Sequence, residues 1–489
     1  MSKKCDNLLD CYPEYEATIG IEVHTQLKTK SKIFCSCKNK YGETPNKNIC
    51  PICAGYPGTL PVLNRKVVDF AITAGLATHC HISKVSDFFR KHYNYPDLPK
   101  NFQITQGNRP ICEEGYIPID LPDGTEKKIR LQRIHIEEDS GKNIHSSTGK
   151  SYVDLNRAGT PLLEWVTHPD LSNSFEANAY LTRLHAIVQY IGISDADMEK
   201  GSFRADINIS VKKKTAEKLG TRIELKNLNS FKFIRQSIDY EIERQIKAIE
   251  SGETIREESR LWDPKKRETF FMRTKDSSED YRFTLEPDLP LIIIDNQWKE
   301  RLRAELPELP HQKFHRFQKD YNLTAGEADA LISNPEVSRF FETTIKICNK
   351  PKQISNWLLR DILGYMNENK KTFSEIQITP ETFAELITEI DNGIISSKIA
   401  QDIIIEMATT GKYPSIIIQE KGLKQIGSTE EIEPIILEII EKNPDQVERY
   451  RNGNDRLFAF FVGQAMKATK GKGNPKIIKE LFEKYLNKE

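Results

Sequence analysis

Nowhere does the chain approach the ~20 consecutive apolar residues that a membrane helix needs, so no spanning segment of that kind is expected. Net charge is missing too, because 71 Lys and Arg are balanced by 71 Asp and Glu over 489 residues. Balance of this sort excludes little, because steering depends on where the charge sits. The opening residues, MSKKCDNLLDCYPEYEA, have neither an apolar core nor a small-residue cleavage site. Nine irregularly spaced cysteines without such a leader fit a reducing compartment, which points to the cytoplasm or an organellar matrix. Catalytic signatures are scarce as well. No G-x-x-x-x-G-K-[ST] phosphate loop occurs, and TKGKGNPK has its residue types without the order or the preceding strand. No G-x-S-x-G elbow is present, and no second histidine stands four residues from His24 as H-E-x-x-H would require.

What is present divides by period. From about residue 16 to 295 apolar residues recur every second position, in TIGIEVHTQL, IRLQRIHIEED, SYVDLNR, ADINISV and TRIELKN, with Gly, Pro and Asn clusters between. Two helices interrupt them. One is SFEANAYLTRLHAIVQYIG with Gly192 at its end. In the other, Phe231, Ile234, Ile238, Ile242, Ile246 and Ile249 make one apolar face. Strands mixed with separate helices predict an α+β fold with a mainly antiparallel sheet. Beyond residue 296 the pattern is helical and punctuated by proline, and Ile432, Ile436 and Ile440 form a stripe. Expected divisions are 14–295, 296–405 and 406–489. Residues 450–489 carry nine Lys or Arg against four Asp or Glu, a basic excess suited to a polyanion or simply to a solvated helix.

Two constellations carry chemistry. Cys35-x-Cys37-x12-Cys50-x2-Cys53 brings two close pairs together, the spacing of a closed tetrahedral Zn2+ site with a structural role. Two disulfides are the alternative, which a reducing compartment disfavours. Cys5, Cys11, Cys80, Cys112 and Cys348 have no ligand-like spacing. The second constellation is a set of polar strand faces. Opposite Ile19, Ile21 and Val23 stand Glu22, His24 and Gln26, and opposite Ile134 and Ile136 stand Arg133, His135 and Glu137, with Glu138 following. Arg204, Asp206 and Asn208 share another face, as do Arg222, Glu224 and Lys226, while Glu164 lies in LLEWV. If these strands share a sheet, one face carries clustered carboxylates beside Arg and Lys. Mg2+ binds through a few carboxylates plus phosphate oxygens, so such a face suits phosphoryl transfer. Mutual salt bridging across a solvated sheet is the alternative from pattern alone.

Longer runs decide between them. GIEVHTQLKTKSKIFC, CPICAGYPGTLPVLN, YNYPDLPKNFQITQ, IHIEEDSGK, DLNRAGTPLLEWV, KNLNSF, RLWD, LEPDLP and FFVGQAMKATKGKGNPK, in this order along the whole chain, closely resemble the B subunits of the tRNA-dependent amidotransferases. The resemblance implies a cradle-shaped catalytic domain over 14–295 with a zinc knuckle at 35–53, a helical domain over 296–405, and a helical tail over 406–489 that docks tRNA. It implies ATP- and Mg2+-dependent activation of the side-chain carboxylate of Glu-tRNA(Gln) or Asp-tRNA(Asn) as an acyl phosphate. Ammonia from a glutaminase A subunit then displaces phosphate, and a small C subunit completes the assembly. By the same likeness Glu22, His24, Glu137, Glu138 and Glu164 form the Mg2+ cluster, with Glu137 or Glu138 near the ammonia entry. Lys91 is catalytic, and Arg133, Arg157, Arg204 and Lys226 bind ATP or the acceptor end. The sequence departs from the family pattern at Phe89, Ala205 and Glu279, where aspartate, cysteine and histidine are usual.

Overall fold

Alternation in the sequence becomes a wide sheet in the computed structural model, which describes residues 7–146, 149–274, 282–424, 429–469 and 473–487. Glu279 lies outside the described residues. The chain divides into two units, Met1–Lys313 and Phe314–Glu489.

In the first unit the central strand β1 (Tyr15–Gln26) buries Tyr15, Ala17, Ile19, Ile21, Val23 and Thr25 and leaves the intervening residues half-buried. The other strands are β2 (Phe89–His92), β3 (Phe102–Thr105), β4 (Cys112–Asp120), β5 (Glu126–Glu138), β6 (Pro161–Thr167) and β7 (Phe203–Lys213). They continue through β8 (Ile223–Leu228), β9 (Glu258–Asp263), β10 (Glu268–Thr274) and β11 (Phe283–Leu285). Their order is β10-β9-β8-β7-β1-β6-β5-β3-β2-β11, with β4 also paired to β5. Among the described strands only β8 and β9 run parallel, so the sheet is mainly antiparallel as expected. SYVD joins none of this; it forms a separate hairpin with Lys142–His145.

One face of the sheet is covered. Helices α1 (Arg65–Ala77), α2 (Ser174–Tyr190) and α3 (Phe231–Ser251) bring Val68, Ile72, Leu181, Leu184, Ile238 and Ile242 into the same core as Ile19, Ile21 and Val23. Helix α3 starts where the Ser230 hydroxyl accepts from the Phe233 amide and stops at Gly252, whose φ of 75° is left-handed. Its stripe falls as predicted: Ile234, Ile238, Ile242 and Ile246 are buried, with Phe231 and Ile249 packed at the ends. Each buried isoleucine contributes about 1.5–3 kcal/mol relative to exposure. Helix α2 ends at Tyr190 with Ile191 as its cap, and Gly192, φ 71°, stands one residue further on.

The second unit is helical and holds two cores, one drawn from Phe314 to Ile418 and one from Ile432 to Leu486. Pro335, Pro351, Pro380 and Pro414 each open a helix, a position where the missing N–H costs nothing. Ile432 and Ile436 are buried in the second core, and Ile440 packs at its margin.

Trp165 ties the covered face together: it is fully buried on β6, and its indole N–H donates to Thr25 Oγ1 at 3.0 Å. Trp165→Ala is expected to cost about 3–5 kcal/mol by removing a large core side chain, read as a lowered unfolding midpoint in denaturant titration.

Candidate active site and cysteine cluster

Because residues opposite each other on neighbouring strands share a face, the register sets what meets on the open side of the sheet. His24 on β1 faces Glu164 on β6 and Arg204 on β7, and Glu164 in turn faces His135 on β5. Two residues beyond His135, Glu137 lies on the same side. The result is a compact group. His24 Nε2 is 3.4 Å from a Glu164 oxygen and 3.5 Å from a Glu137 oxygen, and His135 Nε2 is 3.2 Å from Glu164. Ligand atoms of His24, Glu137 and Glu164 all lie within 4.8 Å of one another.

Electrostatics states what this group requires. Burial disfavours charge on His135, but Glu164 and Glu137 outweigh it and raise its pKa to about 9. Burial likewise opposes a charged His24, and the same two carboxylates reverse the effect. Glu164 is held well below the ordinary carboxylate range by His135 and His24 despite its burial. Two carboxylates this close call for positive charge between them, and a divalent cation supplies it through the same oxygens. Carboxylate oxygens suit a hard ion such as Mg2+; the imidazole adds a nitrogen that binds only when neutral.

The group opens into a hollow of ≈ 470 Å3 whose walls include Lys91, Arg204, Lys226 and Arg273. A second hollow of ≈ 550 Å3, with Arg157, Lys142 and Tyr41 among its residues, shares Arg204, Asp206 and Asn227 with the first. Lys226 donates to Asp206 at 2.6 Å and lies 3.3 Å from Glu224. Arg157 Nε donates to the Ser140 carbonyl at 2.9 Å.

The remaining sequence-predicted residues lie elsewhere. Glu22 is on the same face, opposite Asp206, but belongs to a neighbouring hollow of ≈ 280 Å3, where Asn208 donates to it at 3.1 Å. Its pKa is raised by burial, then by Glu164 and Asp206. Glu138, adjacent to Glu137, points away from the metal-type group. It accepts from the Ile104 amide at 2.9 Å and forms an ion pair with Lys100. Beside it is a narrow cavity of ≈ 50 Å3 that also touches Cys35 and Cys53. Arg133 sits beside a bulge between β5 and β6 and lines neither of the two large hollows. Ala205 is buried opposite Val23, and Phe89 lies on β2 paired with Thr105. Sequence reading missed Lys100, Asp139 and Arg273, which come from loops and strand ends where alternation gives no signal.

The four cysteines do converge. Sulfur atoms of Cys35, Cys37, Cys50 and Cys53 lie within 4.8 Å of one another, with Cys53 Sγ 3.9 Å from Cys50 Sγ and 4.0 Å from Cys37 Sγ. A tetrahedral Zn2+ with Zn–S of ~2.3 Å needs sulfurs about 3.8 Å apart. All four are free thiols. A hydrogen bond with Cys35 lowers the Cys53 pKa against its burial and raises that of Cys35. Lys32, fully buried, donates to Cys53 Sγ at 3.5 Å and to the Leu155 carbonyl at 3.2 Å. A buried ammonium beside thiolates supplies the countercharge that a metal-bound tetrathiolate needs. The cluster is therefore compatible with a metal ion.

Among the described residues no helix is long and apolar enough to cross a membrane. Residues 17–300 match the GatB/GatE catalytic domain, and residues 339–486 match the GatB domain. The B subunit of the aspartyl/glutamyl-tRNA(Asn/Gln) amidotransferase of Thermoanaerobacter pseudethanolicus is 49% identical over 97% of this chain and 100% of its own length. Its counterpart in Geotalea daltonii is 50% identical over 97% and 99%, and that in Persephonella marina 48% over 97% and 100%. With the catalytic-domain match spanning more than half of the chain and identity near one half along its length, the chain belongs to the family of amidotransferase B subunits.

Proposed function

We propose that this chain activates the side-chain carboxylate of Glu-tRNA(Gln), Asp-tRNA(Asn) or both, and amidates it. The observation that supports this most directly is the meeting of His24, Glu137 and Glu164 with Lys91, Arg204 and Lys226 around one hollow. A carboxylate is a poor electrophile until a better leaving group replaces its oxygen. Its oxygen attacks the γ-phosphorus of ATP, ADP departs, and an acyl phosphate results. Ammonia then attacks the acyl carbon, a carbon–nitrogen bond forms, and inorganic phosphate leaves with the electrons of the broken carbon–oxygen bond.

In this reading His24, Glu137 and Glu164 hold Mg2+, which when bound neutralises phosphate charge. Lys91, Arg204 and Lys226 supply fixed positive charge around the migrating phosphoryl group, which is most of what such a transfer asks of a protein. Arg157 faces the adjoining hollow and contacts ATP or the acceptor end. Arg133 and Glu22 act from the margins of the same face. Glu138 borders the ammonia entry, where a carboxylate keeps the incoming nucleophile deprotonated. Cys35, Cys37, Cys50 and Cys53 bind a structural Zn2+. The ammonia comes from a glutaminase A subunit, a small C subunit completes a heterotrimer, and the assembly works in the cytoplasm or an organellar matrix. Residues 14–295 form the catalytic cradle, 296–405 a helical domain and 406–489 a tail that docks tRNA.

Three outcomes test this reading. In the assembled complex, Glu137→Gln is expected to reduce ATP-dependent transamidation by about 10²–10³-fold, the scale of losing one preorganised charge-stabilising group, while glutaminase activity persists; wild-type turnover would refute the assignment. Lys32→Met is expected to weaken zinc retention about 10–100-fold against a chelator, and unchanged metal content under competition would count against the zinc knuckle. Deleting 412–489 is expected to weaken tRNA binding more than chemistry on bound substrate. Each lost phosphate contact reduces the slope of log K against log salt by about 0.7–0.9, and an unaltered slope would dismiss the tail as a docking element.

A further inference from the structure

Asp139 follows the Glu137–Glu138 pair, and the scheme above gives it no part. It is buried at the end of β5, yet its carboxylate is the most heavily bonded acid near the site. Gln26 Nε2 donates to Oδ2 at 2.8 Å, and the Ser140 amide donates to Oδ1 at 3.0 Å. Arg204 Nη2 reaches both oxygens at 3.1 Å, and Arg157 Nε stands 3.7 Å from Oδ2. These donors come from β1, β7 and the loop before β6, so one carboxylate joins three segments that approach the site separately.

Arg204 is the informative partner. It lies opposite His24 in the sheet and lines both hollows at the point where they meet. Asp139 engages only its Nη2, and its Nε is buried with no hydrogen-bond partner. A guanidinium is a rigid planar fork, so fixing one terminal nitrogen fixes the direction of every other donor. A fork meant only for internal bridging would spend its inner donor on the carboxylate as well, in the bidentate arrangement. Here that donor is left unpaired, on a residue that lines the same hollow as His24, Glu137 and Glu164. Holding a long side chain in place before substrate arrives also removes an ordering cost from binding.

We propose that Asp139 is a positioning residue: it aims Arg204 at an anionic substrate oxygen, phosphoryl or carboxylate, where the two hollows join. The inference rests on the function proposed above.

The test compares Asp139→Asn, Asp139→Glu, Arg204→Lys and the Asp139→Asn/Arg204→Lys pair in the complete complex, with glutaminase activity and melting temperature as controls for assembly. Asp139→Asn is expected to lower kcat/KM for transamidation by about 10–100-fold with glutaminase activity unchanged, and Asp139→Glu to recover part of the loss. A rise in KM for ATP assigns the oxygen to the phosphoryl group, and a rise in KM for aminoacyl-tRNA assigns it to the side-chain carboxylate. In the Arg204→Lys background, Asp139→Asn is expected to add less than about twofold, because the two residues act as one unit. Wild-type kinetics in Asp139→Asn, or full additivity with Arg204→Lys, overturns the inference while a wild-type complex that makes amidated tRNA leaves the function standing. If Asp139→Asn fails to assemble, Asp139→Glu carries the same additivity comparison. A wild-type complex that amidates neither tRNA overturns both.

Discussion

Two acidic side chains converging on one imidazole nitrogen constrain everything around them. Glu137 and Glu164 approach His24 from separate strands, in surroundings that disfavour bare charge. His135 and His24 hold Glu164 well below the ordinary carboxylate range, and Arg204 and Lys226 line the same hollow. That surplus of ordered negative charge, ringed by cations, is what a metal–phosphate substrate can enter without the protein reorganising. The helices behind the sheet serve the same end. They bury one face so completely that polar residues have only the other face to occupy.

Much of this was legible in the residues themselves. Strict alternation in TIGIEVHTQL gave the strand, its buried side and its polar side, and the structure follows it residue by residue. The stripe of isoleucines gave α3, whose buried face it matches. Cysteine spacing gave the cluster, since two tight pairs have few other ways to meet. In each case the signal was local, set by a period or a turn.

What escaped was set by pairing between distant strands. Nothing in the order of residues says that His24 lies across from Glu164 and not from Glu137's neighbours, or that Glu22 falls one row away from the ligand group. Loops escaped too: Lys100 reaches Glu138 from a turn, and Asp139 sits where the strand pattern has just ended. Glu138 is a different case. Alternation alone places it on the opposite side from Glu137, and the family likeness grouped the two together; the structure follows the alternation.

That opposition has a consequence for how the enzyme can evolve. Glu137 and Glu138 are consecutive, yet one lines the wide hollow beside His24 and the other a separate narrow cleft. Sliding β5 by a single position against its neighbours would exchange their destinations. Insertions and deletions near this strand are therefore barred more strictly than changes of side chain, and the chain's alignment within the sheet is itself a heritable part of the chemistry.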